Sequence, residues 1–188
     1  MAGLYLASQS PRRTELLTQV GIDHIVVSST YEEPNEGYDS PIEMVKAQAM
    51  GKARSAVGVP EGSIVLGADT IVVLDNEVLG KPQDEADARQ MLERLSGRCH
   101  SVITGVALLI KGKEVVFHNE TKVYFKELAP FEMESYIASG EPMDKAGAYG
   151  IQGKGALWVE KIEGSYTNVV GLPVEHVYDE LCKALGAK

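Results

Sequence analysis

The sequence predicts an α/β fold built on a mixed, twisted sheet with flanking helices. Short apolar runs of strand character alternate with stretches whose apolar residues recur at helical spacing. Tight turn signals, Asp75-Asn76 and Lys111-Gly112-Lys113, join neighbouring strands directly, which requires some antiparallel pairs beside the helix-linked ones. Prolines open the helical stretches and glycines close them, so element boundaries are well marked. A length of 188 residues with 44% apolar content suits one domain, or two closely joined lobes around a central cleft. No repeat, linker or low-complexity tract divides the chain.

Leu4–Ala7 reads as a buried strand running into Ser8-Gln9-Ser10. Pro11 then opens a helix with Leu16, Leu17 and Val20 on one face and Gly21 at its end. Ile25–Ser28 is a second strand, followed by the acidic loop 31–40. Ile42, Val45, Ala49 and Ala53 give the stretch 41–57 helical periodicity, stopped by Gly58-Val59-Pro60. Ile64–Gly67 and Ile71–Leu74 read as two apolar stretches interrupted by Ala68-Asp69-Thr70. A hairpin turn at Asp75-Asn76 leads into Glu77–Leu79. A helix is expected from about Asp84 to Leu95, with Met91, Leu92 and Leu95 inward and Gly97 as its stop. Val102–Ile110 and Glu114–Phe125 form a hairpin, and Phe131–Ser139 a short helix ended by Gly140. The glycine-rich segment Gly147–Gly155 precedes a strand at Ala156–Ile162 and a turn at Glu163-Gly164. The last helix starts at Pro173, buries Val174, Val177, Leu181 and Leu185, and stops at Gly186.

Composition narrows function before any motif does. The net charge of −9 argues against broad nucleic-acid binding, because neutralising a phosphate backbone needs a basic face. No run approaches the roughly 18 apolar residues that span a bilayer, so no membrane association is expected. The first residues lack the layout of a signal peptide, and a cytoplasmic location is the expectation. Cys99 and Cys182 lie far apart and outside any metal-ligand spacing, which fits reduced structural thiols. An acidic protein that binds a polyanion must gather its few cations locally.

Ser10-Pro11-Arg12-Arg13 is where they gather. Ser10 suits the N-cap and Pro11 the first helical position, yet two arginines follow where a capping box would place Glu or Gln. A cation in the first helical turn opposes the dipole by roughly 0.3–1 kcal/mol unless an anion lies between it and the open amides. A phosphate turns that cost into attraction. The alternative is a solvated pair answering acids such as Glu15. Asp69, between apolar β-branched runs, is costly to bury unpaired, which points to a metal ligand, a general base or half of an ion pair. A turn or capping Asp is the plainer option. Lys81, between Gly80 and Pro82 in a constrained loop, and Lys52 in the second helix are surface lysines when taken singly. Glu32-Glu33 opens the acidic loop, and paired carboxylates near phosphate suit Mg²⁺ or Mn²⁺, though a solvated loop also explains them. In 144–153, three glycines let backbone approach a ligand, and Gln152 can both donate to and accept from a base edge. Ser165-Tyr166-Thr167-Asn168 is wall or site.

Several chemistries are missing. The chain has no P-loop, no HExxH or zinc spacing among His24, His100, His118 and His176, and no Gly-x-Ser-x-Gly elbow. Gly153-Lys154-Gly155 lacks the third glycine of a dinucleotide fingerprint. Metal-assisted attack of water on phosphorus survives this elimination.

Taken together, the segments from Leu6 to Arg13, Gly67-Ala68-Asp69-Thr70, Gly80-Lys81-Pro82, 144–153 and Gly171-Leu172-Pro173 resemble, in order, the Maf family of nucleoside triphosphate pyrophosphatases. The resemblance implies a single Maf-like domain over 1–188, two-lobed without a separable linker and related to house-cleaning inosine triphosphatases. It further implies a nucleoside triphosphate substrate, a divalent cation (Mg²⁺ or Mn²⁺, with Co²⁺ a further candidate), release of pyrophosphate, a cytoplasmic setting and a possible homodimer. Some members are linked to septum formation and arrest of cell division. Carried over by motif, Asp69 is the catalytic acid–base or metal-coordinating residue, with Glu33 the second carboxylate near the metal. Ser8, Arg13, Lys52 and Lys81 are the phosphate-binding set. Arg12, Thr70 and Gln152 occupy the base-reading positions and resemble the branch acting on dTTP and UTP. The branch acting on 7-methyl-GTP carries Trp, Gln and Glu there. The expected reaction is hydrolysis of dTTP and UTP, or modified pyrimidine nucleotides, to the monophosphate. Its rival is a nucleotide-sensing regulator of division with incidental hydrolysis, which would tolerate loss of Asp69.

Overall fold

The computed structural model describes residues 3–34 and 36–186. They form seven strands and six α-helices. The strands are β1 (Leu4–Ala7), β2 (Ile25–Val26), β3 (Ile64–Leu74), β4 (Glu77–Leu79), β5 (Cys99–Ile110), β6 (Lys113–Phe125) and β7 (Val159–Glu163). The helices are α1 (Pro11–Gln19), α2 (Pro41–Arg54), α3 (Glu85–Leu95), α4 (Pro130–Ala138), α5 (Tyr166–Val170) and α6 (Val174–Leu185). The strands join one mixed sheet in the order β2-β1-β3-β5-β6-β7, with β4 beside β3. β1 runs parallel to β2 and β3, whereas β4 on β3 and β7 on β6 are antiparallel. This is the mixed α/β architecture predicted. Among the described residues, no helix is long and apolar enough to cross a membrane.

The chain divides into two compact units. The first comprises Met1–Thr70, Thr104–Asn119 and Gly171–Lys188, the second Ile71–Ile103 and Glu120–Val170. Three of the four crossings therefore fall inside β3, β5 and β6 rather than in linkers.

In the first unit, Ala49, Met50 and Ala53 of α2 pack on Ala7, Val65 and Ala107 of the sheet. The small residues let the helix backbone close down on the strands. A methyl group at Gly67 would stand 2.2 Å from the Ala49 carbonyl oxygen, and one at Gly105 would stand 2.3 Å from that of Val45. Glycine is thus required for this approach, which sets the distance from α2 to the middle of β3. Ser40 caps α2 by accepting from the Glu43 amide at 3.2 Å, as an N-cap serine should.

The second unit is built around Leu92 and Leu95 of α3, Tyr136 and Ile137 of α4, and Phe125, Tyr149 and Trp158. Each such side chain contributes about 1.5–3 kcal/mol by leaving water. Asp84 caps α3 through the Asp87 amide at 2.8 Å. Asp75 and Asn76 take positive φ values of 52° and 64° in the β3–β4 turn, the conformation their small polar side chains tolerate.

Some sequence expectations require correction. β3 is one continuous strand through Ala68-Asp69-Thr70, because side-chain partners satisfy the two polar residues without breaking the ladder. Val20 and Leu185 are exposed by 50% and 58%; each lies at or just past the end of its helix, where the apolar face runs out. The glycine-rich segment continues as short 3-10 turns to Trp158, so β7 begins at Val159 rather than Ala156. Residues 166–170 form α5, opened by Ser165 accepting from the Asn168 amide at 3.1 Å. Fully buried Asn168 donates to the Val102 carbonyl and to Thr121, which makes that segment part of the wall of the second unit.

Candidate active site

The start of α1 is organised by a buried arginine. Ser10 occupies the N-cap without a side-chain cap bond. Its own amide instead donates to Ser8 Oγ at 3.3 Å. Arg13, only 7% exposed, sends Nη1 to that same Ser8 oxygen at 2.9 Å, Nη2 to Thr70 Oγ1 at 3.0 Å and Nε to the Gly171 carbonyl at 2.8 Å. One planar guanidinium thereby ties the β1–α1 turn to the middle of β3 and to the residue that begins the last segment. A lysine could not hold three separated acceptors in this way. Gly171 adopts φ 136°, a conformation suited to glycine, as it presents its carbonyl. Burial lowers the Arg13 pKa below its ordinary value; attraction to Asp69 works against that, Arg12 on the same turn adds to it, and Glu33 opposes it. Arginine remains charged in any case.

The second feature is a lysine between two carboxylates. α2 carries Lys52 over the middle of β3, where Nζ donates to Asp69 Oδ1 at 2.8 Å and meets Glu33 Oε1 at 2.9 Å. The Lys52 and Asp69 side chains are 13% and 12% exposed, whereas Glu33 at 51% opens to solvent. Asp69 therefore escapes the cost of an unpaired buried carboxylate. Tyr38 of the acidic loop has its pKa pushed up to about 12, chiefly by loss of solvent, then by its hydrogen bond to Tyr31 and by the negative charge of Asp69.

Seven of the nine sequence-predicted site residues accordingly fall in the first unit: Ser8, Arg12, Arg13, Glu33, Lys52, Asp69 and Thr70, the last as the partner of Arg13. Lys81 and Gln152, both exposed, lie in the second unit. There the Gly147 amide donates to the Gly80 carbonyl at 3.0 Å, which joins the lysine loop to the glycine-rich segment that carries Gln152. Gly147 itself, at φ 68°, leaves no room for a side chain, since a Cβ would lie 2.9 Å from Val72. Sequence reasoning missed Thr104, which meets Thr70 Oγ1 at 2.8 Å, and the role of the Gly171 carbonyl. Thr104 was visible as a polar residue in the apolar run 102–110; a backbone carbonyl leaves no such trace.

For a divalent cation, the donors that converge are the hard oxygens of Asp69 and Glu33. They already meet at one positive centre, the Lys52 ammonium. Among the described residues no group of three or more His, Cys, Asp or Glu side chains could hold a metal. Two carboxylates fit Mg²⁺ or Mn²⁺ in the mode where substrate phosphates and water complete the shell, and do not fit a closed structural metal site.

The family described as Maf-like protein matches residues 3–184. A dTTP/UTP pyrophosphatase of Symbiobacterium thermophilum is 53% identical over 96% of this chain and 93% of its own. Another of the same name, from Bacillus cytotoxicus, is 51% identical over 96% of this chain and 95% of its own. Among solved structures, the Staphylococcus aureus Ham1 protein gives a TM-score of 0.41 at 11% identity, covering 65% of this chain and 71% of that one. That last likeness is too slight to bear on function. The first three place this chain in the Maf-like protein family.

Proposed function

We propose that the protein hydrolyses dTTP and UTP to the nucleoside monophosphate and pyrophosphate. The observation that carries the proposal is the Asp69–Lys52–Glu33 arrangement beside buried Arg13, which gathers two carboxylates and two cations in a protein of net charge −9. The names of its relatives, at about half identity over nearly the whole chain, support the same substrates.

In this reading the water oxygen bonds to the α-phosphorus as the bond from that phosphorus to the bridging oxygen breaks, and pyrophosphate leaves. Asp69 takes the proton of the water and passes it to solvent. Asp69 and Glu33 are also the side chains that would hold a divalent ion, which when bound supplies neutralisation of the triphosphate and a lower pKa for nearby water. The two tasks of Asp69 compete, because a carboxylate bound to a metal is a weaker base. Arg13, Lys52 and Lys81 stabilise the charge that grows on the leaving pyrophosphate, and Ser8 adds a hydroxyl at the helix start. Arg12, Thr70 and Gln152 read the base.

The test is pyrophosphate release across a nucleotide panel, for wild type and Asp69→Asn. Wild type should act on dTTP and UTP ahead of ITP and 7-methyl-GTP, and the variant should lose about a hundredfold or more. Lys52 keeps its contact with Glu33 in the variant, so the loss should not be one of folding. A preference for 7-methyl-GTP or ITP overturns the substrate reading, and equal rates overturn the role of Asp69.

A further inference from the structure

Gln48 lies on the same face of α2 as Lys52, one turn earlier, and is 1% exposed. Its Nε2 donates at 2.6 Å to the carbonyl of Pro34, the residue after Glu33. Its Oε1, equally buried, finds no partner among the described residues. A half-satisfied amide in the interior is a net cost to stability, and an apolar side chain of similar volume would serve packing better. What the amide supplies is therefore position: a fixed link from α2 to the backbone beside Glu33.

The acidic loop is attached to α2 at further points. The Tyr31 ring lies directly on Gly51, where a methyl group would stand 2.2 Å from its Cε2. Ser29 Oγ accepts from the Tyr31 amide at 3.2 Å and meets Ser55 Oγ at 2.7 Å. These contacts and the Gln48 bond flank Glu33 on both sides, and Glu33 itself reaches Lys52 from a half-exposed position. An exposed carboxylate on an untethered loop would lose most of such a contact to side-chain and loop entropy.

We propose that Gln48 is a positioning residue that, with Gly51 beneath Tyr31, fixes the acidic loop on α2 so that Glu33 is presented to Lys52 and Asp69. This rests on the pyrophosphatase reading for its activity measurement, and a second measurement stands apart from that reading.

The variant is Gln48→Leu, assayed for dTTP hydrolysis, thermal stability and amide hydrogen exchange. Stability should be kept or raised, while kcat/KM falls roughly ten- to a hundredfold through displacement of Glu33. Exchange should quicken in 29–40 and stay unchanged in α2 and β3. In a Glu33→Gln background, adding Gln48→Leu should change the rate by less than about twofold, since residues acting through one another are not additive. Gly51→Ala, which favours the helix but displaces Tyr31, should give the same pattern and serves if Gln48→Leu does not fold. Full activity in a folded Gln48→Leu, or additive losses in the double variant, overturns the proposal. If wild type releases no pyrophosphate, the function reading fails alone, and the exchange in 29–40 still decides whether Gln48 holds the loop.

Discussion

Arg13 makes three hydrogen bonds to acceptors that are far apart in sequence: Ser8, Thr70 and Gly171. Its burial means that these bonds form in a medium where an acceptor left alone costs about 1–3 kcal/mol. Arg13→Lys keeps the charge but loses the fork. We expect it to lower stability by that order, seen as a drop in Tm, and to raise KM for the nucleotide. An unchanged Tm would show that the three bonds do not hold the turn. The arginine pair was legible in the sequence because cations in a first helical turn break a local rule. Its geometry was not, since the fork is directed at a hydroxyl on β3 and at a carbonyl 158 residues away. Read from its own residues, without the family resemblance that named it, Lys52 was illegible for the same reason. On its own helix it is an ordinary lysine, and only the close approach permitted by Gly67 and Gly105 sets it over Asp69.

At the scale of elements, the segment that carries Gln152 is held to β5 by a buried pair. His100 Nε2 meets the Tyr149 hydroxyl at 2.6 Å, and both rings pack edge-on against Phe125. His100 is 3% exposed, its Nδ1 has no partner among the described residues, and burial depresses its pKa from 6.5 to about 4. Above pH 6.5 the ring is neutral in both folded and unfolded chains. Below it, the unfolded chain takes a proton that the folded one refuses, so stability falls as the pH drops from 6.5 towards 4. The full effect is about 3 kcal/mol. Urea unfolding of wild type and His100→Asn across that range should show the wild-type slope flattened in the variant; parallel curves would remove His100 as the cause. Elements with strong periodicity or capping signals, such as α2 and α3, follow the sequence closely. β3 did not, because local propensity treats Asp69 and Thr70 as interruptions, whereas Lys52, Arg13 and Thr104 satisfy them. α5, at five residues, is too short to show a period.

For the molecule as a whole, the net charge of −9 sets a long-range field that repels a nucleotide triphosphate, while in the proposed site Arg12, Arg13 and Lys52 would attract it nearby. The two effects respond differently to salt. Repulsion from the whole surface acts over distances that a Debye length of about 10 Å at 0.1 M already cuts off. Attraction inside the site acts at hydrogen-bond distance, yet the phosphate and the cations must both be stripped of counterions and water to meet. If the local cations govern binding, KM for dTTP should rise severalfold as KCl goes from about 0.05 to about 0.5 M, with kcat nearly constant. If the global field governs, KM should fall as the repulsion is screened. Steady-state kinetics at fixed divalent-ion concentration distinguish the two. The first outcome is favoured because the field of distant surface charges is already largely cut off near about 0.1 M, which leaves competition between chloride and the substrate phosphates at the gathered Arg13 and Lys52 as the salt-dependent step.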